Sequence, residues 1–123
     1  MFQKEVADRV RAAPGGKEYG VLGISTQADA NVSRMFDLPP GAFRPAPRVH
    51  SALVRLAFGA PRVPPRLAPF LRDVVRRIFM QRRKVLSNAL KPLGEARGLP
   101  VDGILLAARL DGRRRPETLQ LSE

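Results

Sequence analysis

The chain has 123 residues and no cysteine, and its 22 Lys and Arg against 11 Asp and Glu give a formal net charge of +11. The absence of cysteine excludes a disulfide framework and a thiolate metal site, and the single histidine, His50, argues against a His-rich metal site. The excess of positive charge favours a polyanionic partner, because bound phosphates release counterions, although GC-rich genomes also produce Arg-rich chains.

The first elements in chain order are two predicted helices and a predicted strand. Residues 3–12 have the apolar spacing of an amphipathic helix, and the Pro-Gly-Gly sequence that follows ends it. Residues 19–30 predict a second helix, which two glycines weaken. Residues 31–38 alternate loosely as in a strand, and two prolines end it.

A Pro-rich connection and a second strand follow. The prolines within residues 39–49 favour an extended, non-helical backbone. Residues 50–58 alternate as a clear strand. Residues 59–66 hold three prolines and one glycine, a composition typical of a linker between lobes.

The remainder of the chain has helical periodicity. Residues 67–79 carry one apolar stripe, which resumes at residues 85–93. Arg82 occupies the stripe between these two runs, and an unpaired buried arginine is costly. We therefore expect either a helix break near Gln81 or a partner that draws Arg82 out of the core. Residues 101–110 predict a further short helix.

The predicted sheet is incomplete. Only two strands are clear in the sequence, and two strands cannot form a stable sheet with satisfied edges. The pattern therefore indicates a truncated domain, whose exposed apolar strand faces favour self-association or aggregation.

Positive charge is concentrated in the first predicted helices after the linker. Between residues 66 and 91 there are eight cations and one anion, Asp73. The cations are Arg66, Arg72, Arg76, Arg77, Arg82, Arg83, Lys84 and Lys91. Side chains of like charge at this density repel one another unless a polyanion neutralises them. Arginine suits RNA because its guanidinium binds phosphate through two donors and stacks on bases. The alternative is an ordinary solvated helix face.

Two further residues are candidates for function. Phe43, on the stiff Pro-rich loop, could stack on a base, although the pattern alone favours a hydrophobic plug against the sheet. His50 has no acidic or metal-binding neighbours at motif spacing, so we interpret it as a residue at a strand start.

Several signals of catalysis are absent from the sequence. No Gly-rich nucleotide loop, P-loop lysine, Gly-x-Ser-x-Gly elbow or hydrolase carboxylate pair is present, which favours a binding module. No apolar run approaches the ~20 residues of a membrane span, and the first residues do not resemble a signal peptide. The sequence therefore predicts a cytoplasmic protein.

Three segments, in the same order, resemble the ribosomal RNA adenine dimethyltransferases. They are FQKEVADRV, YGVLGISTQADANVSRMFDLPPGAFRPAPRVHSALVRL and FMQRRKVLSNALK. The family is the small-subunit methyltransferase A group, related to the erythromycin-resistance methylases, and the resemblance is to its C-terminal half.

The resemblance implies an S-adenosyl-L-methionine-dependent enzyme that methylates N6 of two adjacent adenines near the 3′ end of 16S rRNA during 30S subunit assembly. Phe43 would contact the flipped target adenine. The implied RNA-binding residues are Arg76, Arg77, Arg82, Arg83, Lys84 and Lys91. The implied partners are small-subunit rRNA and the 30S subunit, with no membrane and no metal.

The sequence also departs from the family pattern. The Gly-rich cofactor loop, the acidic ribose-binding residue and the Asn-Leu-Pro-Tyr catalytic motif are absent from these 123 residues. We therefore expect no catalytic and no cofactor-binding residue here, and no activity from this chain alone. Arg48, His50 and Gly23 stand where the family usually has lysine, an acidic residue and serine.

These observations predict an α/β fold class, the C-terminal part of a Rossmann-like methyltransferase sheet followed by a small all-α helical domain. The predicted boundaries are 1–58 for the sheet part, 59–65 for the linker and 66–123 for the rRNA-binding helices. One alternative is a stand-alone RNA-binding or ribosome-assembly module without catalysis. Another is a DNA-binding helix-turn-helix built from helices at 65–80 and 83–92.

Overall fold

The computed structural model describes all residues from 1 to 123, and these form two compact units. The first unit consists of Met1–Ala13 and Lys17–Val63. The second unit consists of Pro14–Gly16 and Pro64–Glu123. The first unit contains strands and helices, and the second is helical.

A three-stranded antiparallel sheet organises the first unit. Its strands are β1 (Phe2–Gln3), β2 (Ala30–Leu38) and β3 (Ser51–Phe58), in the spatial order β1-β3-β2. The pairing of β2 with β3 shifts register between Arg34 and Phe36. The strands predicted at 31–38 and 50–58 are confirmed. The sequence did not reveal β1, because two residues are too few to show alternation.

Two helices pack with the sheet in the first unit, α1 (Lys4–Arg11) and α2 (Val21–Asp29). They approach each other at Gly23, where a Cβ atom would lie 2.5 Å from the carbonyl oxygen of Arg9. A side chain at this position would overlap the backbone of α1, so the contact requires glycine. Gln27 Nε2 donates to the carbonyl oxygens of Val10 and Ala12, both at 3.0 Å, and so satisfies the end of α1.

Large apolar side chains remain exposed on the first unit. Phe58 is 73% exposed, and Phe36 and Met35 are each 53% exposed. The predicted exposure of apolar strand residues is therefore present in the structure, while the predicted self-association stays a prediction.

Four helices build the second unit: α3 (Ala68–Met80), α4 (Leu86–Ala89), α5 (Lys91–Arg97) and α6 (Val101–Ala108). Its apolar core consists of Ile78, Leu86, Ala89, Leu90, Leu93 and Leu105. Leu86 is 1% exposed and is among the largest fully buried side chains. The four-residue helix α4 therefore places its first residue at the centre of the core.

The helix boundaries follow the local sequence. Helix α3 ends at Met80, with Gln81 as its C-terminal cap, so the predicted break near Gln81 is confirmed. Helix α5 ends at Arg97 and is capped by Gly98, whose φ of 62° is the left-handed conformation that glycine adopts readily. The helix predicted at 101–110 is confirmed as α6, which ends at Ala108.

The second helix of the predicted helix-turn-helix, at 83–92, is not formed. Residues 81–84 form turns, and the helical residues that follow divide into α4 and α5 at Leu90. Pro92 lies in the first turn of α5, where its missing N–H costs least, and it would remove a hydrogen bond from a continuous helix. A four-residue helix is too short to act as a recognition helix, so this alternative was wrong.

The second unit is built mainly from residues that follow the Pro-rich segment 59–66, and it also includes Pro14–Gly16 from near the start of the chain. The N–H of Gly15 donates to the carbonyl oxygen of Glu117 at 2.7 Å. A pairing between residues this far apart in the chain leaves no periodicity from which the sequence could predict it.

Candidate nucleic-acid interface

Helix α3 holds two of the predicted RNA-binding arginines in different environments. Arg76 is exposed. Arg77 Nε donates to Asp73 Oδ1 at 2.8 Å, and Asp73 Oδ2 also lies 3.7 Å from Arg97 Nη2. The guanidinium of Arg97 covers the ring of Phe70, 4.8 Å from its centroid. The charge of Arg77 is thus shared with a carboxylate, whereas Arg76 faces solvent.

Arg82 is held inside the second unit by two hydrogen bonds. Its Nε donates to Glu117 Oε2 at 2.6 Å, and its Nη2 donates to the carbonyl oxygen of Gly16 at 3.1 Å. The side chains of Arg82 and Glu117 are 35% and 25% exposed. Both outcomes expected for Arg82 therefore occur, because the helix breaks before it and its side chain finds a partner. The sequence did not identify Glu117 as that partner.

The next two residues, Arg83 and Lys84, are exposed. The N–H of Lys84 donates to the carbonyl oxygen of Gln81 at 2.8 Å, which closes the turn that carries both cations. Neither side chain makes an ion pair in the structure, and Lys91, at the first position of α5, is likewise exposed. These three cations are available to a negatively charged ligand.

A second basic segment lies beside this turn, and sequence reasoning missed it. The N–H of Leu86 donates to the carbonyl oxygen of Arg114 at 2.7 Å, and the N–H of Ser87 donates to that of Gly112 at 2.9 Å. A Cβ atom on Gly112 would lie 2.8 Å from Leu105 Cδ1 and 3.1 Å from Ser87 Cβ, so this residue packs closely against α4 and α6. The pairing places the backbone of the segment Arg113-Arg114-Arg115 beside the start of α4, which follows the turn of Arg82-Arg83-Lys84.

Carboxylates restrain part of the second basic segment. Arg114 Nη1 lies 2.5 Å from Glu123 Oε1, and this ion pair lowers the pKa of Glu123. The backbone N–H of Arg113 donates to Asp111 Oδ1 at 2.9 Å, and this bond, with a weaker one from the guanidinium, lowers the pKa of Asp111. The side chain of Arg113 is nonetheless 92% exposed.

Phe43 lies in the first unit, on the connection between β2 and β3. A 3-10 turn at Pro40–Ala42 precedes it, and its N–H donates to the carbonyl oxygen of Pro40 at 3.2 Å. The side chain is half-buried. Its contact with a target adenine stays a prediction.

His50 borders a cleft of about 380 Å³ in the first unit. The cleft is lined by Gln3, Lys4, Glu5, Asp8, Glu18, Val49 and His50. The carbonyl oxygen of His50 accepts a hydrogen bond from the N–H of Lys4 at 2.9 Å, which continues the contact between the start of α1 and the start of β3. No group of three His, Cys, Asp or Glu side chains in the chain could hold a metal ion.

The described residues do not fit the S-adenosyl-L-methionine that the family resemblance implies. Nucleotide-type cofactors are held by successive backbone N–H groups in a Gly-rich turn after a strand. Here β2 leads into Pro39 and Pro40, and β3 leads through Gly59 to Pro61. Proline has no N–H to donate, so neither strand end offers such a cradle. None of the helices is long and apolar enough to cross a lipid bilayer.

Comparison with known proteins matches the whole chain to one family. The model of the family described as ribosomal RNA adenine dimethylase covers residues 1–123. A protein from Desulfitobacterium hafniense (strain DSM 10664 / DCB-2) is 46% identical over 127 residues, which cover 100% of this chain and 44% of the relative. A protein from Pseudomonas aeruginosa is 47% identical over 123 residues, covering 99% of this chain and 44% of the relative. Both are named ribosomal RNA small subunit methyltransferase A.

Two solved structures share the fold. A dimethyladenosine transferase from Plasmodium falciparum superposes with a TM-score of 0.76 at 21% identity, over 98% of this chain and 51% of that chain. The 23S rRNA methyltransferase ErmE superposes with a TM-score of 0.62 at 18% identity, over 97% of this chain and 48% of that chain. At these identities the likeness shows the fold alone.

The comparisons also correct the predicted fold class. The family match runs through residues 1–123 as a whole, and it does not divide the chain into a Rossmann-like part and a separate helical domain. A separate C-terminal helical domain is not shown, and the placement of the chain in the C-terminal half of its relatives is not borne out. The chain spans about 44% of the length of the curated relatives that it matches.

Proposed function

This chain belongs to the ribosomal RNA adenine dimethylase family, and from that premise we propose that it supplies RNA binding to an adenine N6-dimethyltransferase of 16S rRNA. The proposed partner is small-subunit rRNA within the assembling 30S subunit, and the proposed place of action is the cytoplasm. The methyl donor of such an enzyme is S-adenosyl-L-methionine.

The observation that carries this proposal is the exposed cationic turn of the second unit. Arg83 and Lys84 face solvent without an intramolecular ion pair, and the exposed Arg76 adds a third cation. Unneutralised arginine and lysine side chains stabilise RNA binding by displacing counterions from phosphates. Arg82 and Arg77, which are paired with carboxylates, contribute less to this surface.

Methyl transfer is proposed for a longer protein than this chain. The chain covers 44% of its curated relatives and lacks the Gly-rich loop and the Asn-Leu-Pro-Tyr motif within its 123 residues. The prolines after β2 and β3 offer no cofactor cradle in their place. We therefore expect these residues alone to bind RNA without methylating it.

Phe43 is the proposed contact to the target adenine. Its ring is half-buried at the end of a Pro-rich turn, a position that restrains an aromatic side chain while leaving part of it accessible. Stacking of a base on such a ring contributes about 1–3 kcal/mol.

A competition experiment tests the proposed function. A fluorescein-labelled hairpin copied from the 3′ end of 16S rRNA is bound to the 123-residue chain, and unlabelled 30S subunits or duplex DNA are added as competitors. We expect 30S subunits to compete at lower concentration than DNA of equal phosphate content. In the same assay Phe43→Ala should weaken hairpin binding, while Phe43→Tyr should retain it because the stacking ring is kept.

Equal competition by DNA and by 30S subunits would contradict the proposal, since it would show binding to any polyanion. If 30S subunits compete selectively but Phe43→Ala binds normally, RNA binding stands and the role of Phe43 is wrong. Circular dichroism of each variant controls for unfolding.

A further inference from the structure

The two basic turns of the second unit are joined by backbone hydrogen bonds. Turn 81–85 leads into α4, and the first two residues of α4 donate their N–H groups to the carbonyl oxygens of Arg114 and Gly112. These N–H groups are therefore satisfied within the protein, and turn 111–115 is held against the start of α4. The two turns form one continuous piece of surface, although neither the charge count nor the motif spacing indicates it.

Each basic turn uses one arginine as an internal anchor. Arg82 pairs with Glu117 at 2.6 Å, and Arg114 pairs with Glu123 at 2.5 Å. The two anchors are similarly covered, since their side chains are 35% and 34% exposed. The anchored arginines fix the two turns, and the neighbouring cations remain directed to solvent.

Arg113 is one of these neighbouring cations. Its side chain is 92% exposed, while its backbone is fixed by the N–H bond to Asp111 at 2.9 Å. Its guanidinium donates two long hydrogen bonds to Asp111, from Nε to Oδ1 at 3.3 Å and from Nη2 to Oδ2 at 3.5 Å. An exposed ion pair of this kind contributes little to stability, so the guanidinium can exchange its carboxylate for a phosphate.

We propose that Arg113 is a further phosphate-binding residue, and that turns 81–85 and 111–115 bind the RNA backbone as one surface. Arg113 acts together with Arg83 and Lys84, and Asp111 competes with the RNA for it. This inference rests on the proposed RNA binding and extends it to residues outside the three segments that resemble the family. RNA is the ligand that the surface favours, because several exposed cations bind a chain of phosphates more strongly than they bind a single carboxylate.

Salt dependence of hairpin binding tests the role of Arg113. The dissociation constant of the labelled 16S hairpin is measured across a series of salt concentrations for the full chain and for Arg113→Gln. Removing one phosphate contact should lower the slope of log affinity against log salt by about 0.7–0.9 and weaken binding several-fold at low salt. Asp111→Asn should tighten binding, because it removes the competing carboxylate.

The matched control is Arg11→Gln, which removes one exposed positive charge from the first unit. If Arg113→Gln and Arg11→Gln change the slope equally, the effect is one of net charge and the inference is overturned. An unchanged slope for Arg113→Gln overturns it while leaving the proposed function intact. Failure of the unsubstituted chain to bind the hairpin would overturn both.

Discussion

The two units use arginine in different ways. In the first unit Arg34 lies between two carboxylates, with its Nη1 2.6 Å from Asp8 Oδ1 and its Nε 2.7 Å from Asp37 Oδ1. Its side chain is only 19% exposed, and these bonds raise its pKa. In the second unit Arg83 is exposed and makes no ion pair. An arginine therefore connects structural elements where carboxylates lie nearby, and it remains available to a ligand where they do not.

The charge composition of the two units accounts for only part of this difference. The first unit has nine Lys and Arg against five Asp and Glu, a net charge of +4, and the second has 13 against six, a net charge of +7. Arg82 shows that position matters more than composition, because it lies in the basic turn and yet pairs with Glu117. Although Arg82 is adjacent to Arg83 in sequence, it is thus held by a carboxylate, as Arg34 is.

The largest expected effect on stability is at Arg82. Arg82→Ala should lower the free energy of unfolding by about 1.5–3 kcal/mol, because it removes a charge-assisted bond and leaves Glu117 partly buried without its partner. Glu117→Ala should do the same, and the double variant should lose less than the sum of the two. Urea denaturation followed by helical circular dichroism measures all three.

Arg83→Ala is the matched control for this cycle, and we expect it to unfold at the same urea concentration as the unsubstituted chain. Strictly additive losses for Arg82 and Glu117 would contradict the internal anchor. Additive losses would show that Arg82, like Arg83, has no stabilising interaction with a carboxylate.

Gly23 tests the packing of the first unit. Gly23→Ser introduces a Cβ atom 2.5 Å from the carbonyl oxygen of Arg9, so α1 and α2 must move apart, and we expect a loss of about 1–3 kcal/mol. Gly59→Ser is the control, since nothing lies within 4 Å of its added Cβ. Equal urea midpoints for the two variants would show that the helices separate without cost.

The smallest expected effect on stability is at the free cations. The double substitution Arg83→Gln and Lys84→Gln should change the free energy of unfolding by less than about 0.5 kcal/mol, because neither side chain has an intramolecular partner. It should lower the salt slope of hairpin binding by about 1.4–1.8 through the loss of two phosphate contacts. The control removes two exposed arginines of the first unit, Arg11 and Arg55.

An unchanged salt slope in this double variant would remove the distinction between anchored and free cations. A large loss of stability would do so as well, since it would reveal a structural role for the turn. Measuring both quantities on the same protein samples separates these outcomes.

The local sequence pattern was sufficient to predict most of the helices and strands and part of the candidate site. Apolar periodicity predicted α1, α2 and α3, alternation predicted β2 and β3, and the interruption of the apolar stripe at Arg82 predicted the end of α3. The sequence missed β1 because a two-residue strand has no period. The helix-turn-helix alternative placed one helix at 83–92, whereas the chain forms α4 and α5, with Pro92 in the first turn of α5.

The sequence by itself determined the charge of the chain, most helix and strand positions and membership of a ribosomal RNA adenine dimethylase family. Only the tertiary structure decided which cations are available, because that depends on carboxylates distant in the chain, such as Glu117 for Arg82. It also brought Arg113 beside the turn of Arg83 through two backbone hydrogen bonds of α4. Hydrogen bonds between remote residues leave no periodic trace in a sequence, so the inclusion of Pro14–Gly16 in the second unit and the surface formed by the two basic turns depended on the fold.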